Sequence, residues 1–178
     1  FSMTQFNDKV AIVTGGGRDI GREISLKLAA AGAKVCINYA NDEASAQDTL
    51  AQIQAAGGTA IVHRADVTDA AAVAGMVAAT QAAFGERIDL LVNVAGGMVQ
   101  RRPLAEIDPA FFHTVMDLNL TSTYLTTHAV VPHMGEGAAI VNFASQAGRD
   151  GGGPGASIYA TAKAAVMTFT RAMAKELG

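Results

Sequence analysis

The sequence predicts an α/β fold, a single doubly wound parallel sheet covered by helices on both faces. Three observations predict it. Strand-like and helix-like segments alternate five times along the 178 residues. The strand-like segments are short and apolar throughout, as strands buried on both faces must be. Half of the residues are apolar and only 16% are charged, which suits a buried sheet and excludes a disordered chain.

The elements follow in order. Residues 10–14 form an apolar strand, and residues 20–31 then carry apolar side chains at helical spacing until Gly32 stops them. A second strand over 34–38 leads into a helix over 42–56, with Asn41 as its N-cap and Gly57-Gly58 as its stop. The third strand is 59–63, and Gly85 ends the next helix, 69–84. The fourth strand, 88–92, is followed by a brief helix near Pro109 and a long one over 115–134. A fifth strand over 139–144 and a last helix over 158–177 complete the alternation. Between these two, the glycine-rich stretch 148–155 reads as a loop that cannot be helical. No internal repeat interrupts the pattern, so residues 1–178 read as one domain, with Phe1-Ser2 before Met3 as a tag remnant.

Charge and composition narrow the function. The net charge is −3 and no basic cluster occurs, which points away from nucleic acid. No apolar run reaches the length of a membrane span, and no signal peptide precedes the first strand. The single cysteine, Cys36, lies inside the apolar run Val35-Cys36-Ile37 and reads as a buried structural thiol. His63, His113, His128 and His133 show no metal-ligand spacing, so no metal site is expected; His113 and His128 read as helix-packing residues. A cytoplasmic protein in a reducing compartment is the expectation.

Chemistry concentrates in two stretches. The first strand-to-helix turn reads Thr14-Gly15-Gly16-Gly17-Arg18-Asp19-Ile20-Gly21. Glycines there let the backbone approach a pyrophosphate closely, while the helix N-terminus offers free N–H groups and a positive dipole. The second stretch runs from Ser145 to Lys163. Tyr159 and Lys163 are four apart, so on a helix they share one face. An ammonium about 4 Å from a phenol favours the phenolate by at most ~4 kcal/mol at an effective dielectric near 20, which readies the phenol for proton transfer. Ser145, delivered by the end of the fifth strand, could hold the oxygen that receives the proton.

Taken together these residues resemble the classical short-chain dehydrogenase/reductases, over essentially the whole chain. That family's Thr-Gly-x-x-x-Gly-x-Gly motif is matched by Thr14, Gly15 and Gly21, with Asp19 where its middle glycine stands. Its Asn-Asn-Ala-Gly motif is matched by Asn93, Ala95 and Gly96, with Val94 in the second place. The resemblance implies a Rossmann-type domain whose cofactor lies along Gly15, Gly17, Arg18, Asp19, Ile20, Gly21, Asn38, Tyr39, Asp66, Val67, Asn93, Ala95 and Gly96. Asp66 is then expected to meet the adenine. Asn119, Ser145, Tyr159 and Lys163 match the family's catalytic tetrad: Tyr159 the acid/base, Ser145 the carbonyl-oxygen partner, Lys163 on Tyr159 and the nicotinamide ribose, Asn119 holding a water.

Several expectations follow. The reaction is hydride transfer between a nicotinamide and a small-molecule carbonyl or alcohol, of the ketoacyl-carrier-protein-reductase-like or sugar/polyol kind. Arg18 favours NADP over NAD, NAD remaining open, and Asp42 is read as a first-turn helix residue. Asp19 is read as an N-cap with its side chain turned outward. Arg101 and Arg102 read as exposed loop charges or as partners of an acidic substrate, with Met98 and Gln146 near the substrate. The helices over 115–134 and 158–177 imply a homo-oligomer, a dimer or tetramer. The family's usual C-terminal part does not follow Gly178, so the domain reads as incomplete there, with the fifth strand an exposed apolar edge. A nucleotide-binding protein without turnover stands as the second reading.

Overall fold

The computed structural model describes residues 5–178, so the expected tag remnant at Phe1-Ser2 lies outside the described residues. Five strands, β1 (Val10–Thr14), β2 (Lys34–Tyr39), β3 (Thr59–Arg64), β4 (Leu90–Asn93) and β5 (Ala139–Asn142), form one sheet in the order β3-β2-β1-β4-β5. Every pair is parallel, with Ile12 opposite Cys36 on one side and Leu91 on the other. The connecting helices are α1 (Asp19–Ala30), α2 (Glu43–Ala55), α3 (Ala70–Phe84), α4 (Pro109–Met116), α5 (Ser122–Val130), α6 (Ala147–Asp150) and α7 (Ser157–Leu177).

The apolar strands are explained by two cores. Val10 and Ile12 face one side, packed with Cys36, Leu91, Met76 and Val130; Ala11 and Val13 face the other, packed with Val35, Ile37, Ile53 and Ala29. Successive side chains on β1 point to opposite faces, and both faces are buried, so Val10 to Val13 are apolar, and the one polar residue, Thr14 at the strand end, has its hydroxyl hydrogen-bonded. Burial pushes the Cys36 thiol up to about 11, so it is an inert packing group. On β5, at the edge of the sheet of described residues, Val141 is 51% exposed. No helix among the described residues is long and apolar enough to cross a membrane.

The structure moves several predicted boundaries. Asp42, not Asn41, caps α2, its carboxylate accepting from the Ser45 N–H at 3.0 Å. The helices near 109 and 115–134 are one continuous helical run from Pro109 to His133, with a π-helical turn over Asp117–Thr121. Side chains sustain that turn by bonding back along the helix: Asn119 donates to Val115 O, Ser122 to Leu118 O and Thr123 to Asn119 O. His113 and His128 are exposed on this run, each beside an aromatic ring, and do not pack the core.

The glycine stretch does hold a helical turn, α6, because Ser145 O accepts the Gly148 N–H and Ser145 Oγ accepts the Ala147 N–H. Gly148 fits there only as glycine, since a Cβ would stand 2.8 Å from the backbone of Lys163 and Ala164 in α7.

Strand β4 starts at Leu90 rather than at 88. The Ile88 N–H turns to His133 O, and Asp89 lends its buried carboxylate to the start of β1, accepting from Val10 N at 3.0 Å, Arg87 Nε at 2.7 Å and Lys9 Nζ at 3.3 Å. Burial alone would raise the Asp89 carboxyl, but the Val10 N–H, Arg87 and Lys9 outweigh it and hold it below the ordinary carboxylate range. Asp89→Ala is expected to destabilise the fold by about 2–3 kcal/mol at pH 7 in urea unfolding, having removed three charge-assisted hydrogen bonds. A carboxyl held low stabilises the fold above the ordinary carboxylate range near 4 and ceases to as pH falls through its folded value, so the gap between wild type and variant is expected to narrow on acidification.

Candidate active site

The strand order reverses between β1 and β4, and the loops leaving these two strands diverge to opposite faces. Thr14 Oγ1 ties the loops together at their root, accepting the Val94 and Ala95 N–H groups at 3.1 Å each. A cleft of about 690 Å³ opens there, running from Gly15 and Arg18 past Tyr39 and Asp66 to Gly96 and Leu118. It gathers twelve of the predicted cofactor residues, Gly15, Gly17, Arg18, Asp19, Ile20, Gly21, Asn38, Tyr39, Asp66, Val67, Ala95 and Gly96. Asn93, Tyr159 and Lys163 do not line it, while Ala40, Asn41, Asp42, Ala65, Val94 and Leu118 do. Ala40, Ala65, Val94 and Leu118 adjoin predicted positions, while Asn41 and Asp42 had been read only as helix-start residues.

The glycine turn is shaped for close backbone approach. A Cβ on Gly21 would overlap the Gly15 carbonyl oxygen, so α1 begins flush against the turn. The Asn38 side chain is turned inward as a brace, accepting the Gly15 N–H at 3.2 Å and donating to Ala65 O at 3.0 Å. Helices α2, α3 and α4 each carry an aspartate cap at their N-terminus, Asp42, Asp69 and Asp108. Helix α1 has none, Arg18 occupying its N-cap position without a side-chain bond, as α5, α6 and α7 also lack one; α1 differs in opening directly from the glycine turn that lines the cleft.

The expectation that Asp19 is that cap is therefore corrected. Asp19 is the first residue of α1 and adopts φ +48, the left-handed region that glycine favours and aspartate tolerates. Its carboxylate is turned outward, 80% exposed and 3.8 Å from Arg18 Nε. Asp66 is held ionised by Thr68, whose hydroxyl and N–H both donate to Oδ1 and lower its carboxyl below the usual range.

Beyond Gly96 lies the second cluster. A Cβ on Gly96 would stand 2.9 Å from Asn119 Oδ1 and 3.0 Å from Lys163 Nζ, so only glycine lets the loop pass between the two. Lys163 is buried, donates to Phe143 O at 2.8 Å, and lies 5.9 Å from the centre of the Tyr159 ring. Burial lowers its ammonium below the ordinary lysine range. Asn119 is fully buried on the π-helical turn and grips Gly97, accepting its N–H at 3.0 Å and donating to its carbonyl at 2.8 Å. Ser145 and Tyr159 are both half-buried, Ser145 joined to the Lys163 backbone through the packed turn α6. Among the described residues no cluster of metal-ligating side chains occurs.

A family model described as short chain dehydrogenase matches residues 9–178. A Synechocystis 3-oxoacyl-[acyl-carrier-protein] reductase is 41% identical over 177 residues, covering 98% of this chain and 70% of that protein. A Burkholderia cenocepacia short chain dehydrogenase, solved in complex with NADP, superposes with a TM-score of 0.93 at 36% identity, covering 98% of this chain and 70% of that one. The NADH-dependent reductase A1-R' complexed with NAD superposes with a TM-score of 0.92 at 35% identity, covering 98% and 75%.

The glycine turn, the uncapped α1 and the ionised Asp66 together suit a dinucleotide, with Asp19 the one dissonant charge. Asp19→Gly is expected to tighten NADPH binding about three-fold in a low-salt fluorescence titration, an effect that shrinks as salt is added. An unchanged Kd would show that the exposed carboxylate does not act on the bound pyrophosphate.

Proposed function

This chain belongs to the short-chain dehydrogenase family, and on that premise we propose that it transfers hydride between a nicotinamide cofactor and a carbonyl or alcohol carbon, with Tyr159 as the acid/base. The observation that carries this reading is Lys163. A buried ammonium with one carbonyl partner, 5.9 Å from a tyrosine ring centre and beside Gly96 of the cleft loop, is costly to bury for packing alone.

The bound nicotinamide supplies or accepts the hydride. In the reductive direction, Ser145 hydrogen-bonds the substrate oxygen and Tyr159 gives it a proton. Lys163 stabilises the phenolate left behind and stays fixed by Phe143 O. Asn119, whose side chain is committed to Gly97 and Val115, keeps the loop and the helix in register beside Lys163, which supports a structural part in the site alongside any held water. Asp66 accepts from the adenine, and Asn38 braces the turn beneath the ribose, with Tyr39 beside it.

The cofactor is NAD(P), and NADP(H) is the preferred form in this reading. Arg18 is exposed at the cleft with its side chain 68% accessible and 3.8 Å from the Asp19 carboxylate, and in this reading it turns from that carboxylate to meet a 2′-phosphate. The whole chain reads as one NAD(P)-binding domain, and the reading places it in the cytoplasm as a homo-oligomer. Exposed Phe112 and Tyr124, on the helical run from Pro109, support a dimer or tetramer paired through that run and α7. Ketoacyl-thioester-like or sugar/polyol carbonyls are the substrates this reading favours.

Tyr159→Phe is expected to lose turnover at least about a hundred-fold while NADPH still binds, measured by NADPH oxidation and fluorescence titration. Near wild-type rates in that variant would sink the assignment. Arg18→Ala is expected to lower the ratio of NADPH to NADH efficiency about ten-fold, the loss of one charge-assisted hydrogen bond.

A further inference from the structure

Resting on the reading that a nicotinamide dinucleotide lies in the cleft, and independent of Tyr159, we propose that Thr49 is a positioning residue for the cofactor's phosphates. It lies on α2, outside the glycine turn, and acts by pinning the Gly17 carbonyl, with Arg22 as its support. Thr49 is fully buried, and its hydroxyl donates to Gly17 O at 2.8 Å across 32 positions of sequence. A trans peptide sets its N–H opposite its C=O. Drawing the Gly17 carbonyl back against α2 therefore turns the Arg18 N–H the other way, toward the cleft that Gly17 and Arg18 both line. Ser25 does the same one peptide earlier: its buried hydroxyl donates to Gly16 O at 3.0 Å, which turns the Gly17 N–H outward. The turn has no slack on its α2 side. A Cβ on Gly17 would stand 2.8 Å from Ala46 Cα, so α2 rests directly on the turn.

Thr49 has one proton and two carbonyls within reach. The Ser45 carbonyl, four residues earlier on α2, lies at 3.0 Å, and a helical threonine commonly bonds back to that position. Arg22 decides between the two. Its Nη2 donates to Ser45 O at 3.1 Å, which serves that carbonyl and leaves the Thr49 proton to Gly17 O, the shorter of the two bonds. Its Nε donates to Thr49 Oγ1 at 2.9 Å and polarises the hydroxyl, while Nη1 lies 3.0 Å from the Asp48 carboxylate, which fixes the guanidinium from a third side. Without Arg22 the hydroxyl is drawn to Ser45 O, and the peptide between Gly17 and Arg18 is freed to rotate. Arg22 thus acts on the turn chiefly through Thr49, its own approach to Gly17 O being longer, at 3.4 Å.

The test is equilibrium binding, by fluorescence titration with NADPH and NADH well below the melting temperature of each variant. Thr49→Val, which keeps the shape and removes the hydroxyl, is expected to weaken both cofactors about ten-fold, their ratio staying within about two-fold of wild type. Thr49→Ser, which keeps the hydroxyl, is expected to restore both. Arg22→Lys keeps the charge but not the fork of donors and is expected to weaken both about five-fold. Added to Thr49→Val it is expected to cost no more than about two-fold further, since it acts through Thr49. ADP is expected to follow the dinucleotides, whereas adenosine, which carries no phosphate, is expected to bind wild type and Thr49→Val alike. NADPH affinity within about two-fold of wild type in Thr49→Val, or adenosine weakened in step with ADP, overturns the proposal. If Thr49→Val does not fold, Arg22→Lys decides alone by the same two criteria. A wild type that binds neither NADPH nor NADH sinks the cofactor reading and the proposal with it, while tight wild-type binding that the variants leave unchanged sinks the proposal only.

Discussion

Parallel strands carry no hairpins, so each loop must leave the sheet to one face, and where the strand order reverses two neighbouring loops part company. The rest of this molecule depends on how that parting between β1 and β4 is held open. Left alone, the bases of the two loops would expose backbone N–H groups at the edge of the core. Thr14 Oγ1 accepts two of them, from Val94 and Ala95. Below it, Asn93 donates to Asn142 on β5 and accepts from Thr126 on α5, and Asn142 donates to Thr170 on α7. This polar seam, buried between apolar layers, sets the strand ends and both long helices in one register.

The two halves of the site hang from that seam. The cofactor cleft follows β1 and β2, where Asn38 reaches across to the glycine turn. The second cluster follows β4 and β5: Asn119 through its grip on Gly97, and Lys163 through Phe143 O just past Asn142. Gly96 stands where the halves meet. A lysine that is both desolvated and within reach of a tyrosine ring is hard to hold in place by packing alone, and here one carbonyl and one missing side chain accomplish it.

Much of this could be read from the sequence because it was written in patterns of short range. Apolar runs of five or six residues named the strands, and glycine after strand one named the turn. Tyr159 and Lys163 share a helix face by their spacing, but only the motifs around them and the family resemblance made them candidates. What could not be read depends on contacts between distant residues or on backbone angles. Asn41 and Asp42 are both good caps, and only the Ser45 N–H decides between them. Gly148 joins a helical turn because α7 lies against it, a fact absent from residues 148–155 themselves. The start of β4 was misplaced because Ile88 is apolar yet bonded to His133, and Asp89 serves a neighbouring strand. Val99 carries positive φ without being glycine, so its residue type gave no warning, whereas Asp19 stands where the motif has glycine and carries the same conformation. The clasp of Arg101 and Arg102 on residues 154 and 155 spans some fifty positions and has no local signature.

The π-helical turn over Asp117–Thr121 accommodates, in effect, one residue more than an α-helix would between the same two ends. Each residue of an α-helix advances about 100° around the axis, so losing that extra residue would rotate α5 by about this angle against α4. Asn119 and Thr126 would then no longer serve Gly97 and Asn93 together. The helical run is for that reason intolerant of a single-codon deletion, so change of chain length is expected to be borne by the surface loops.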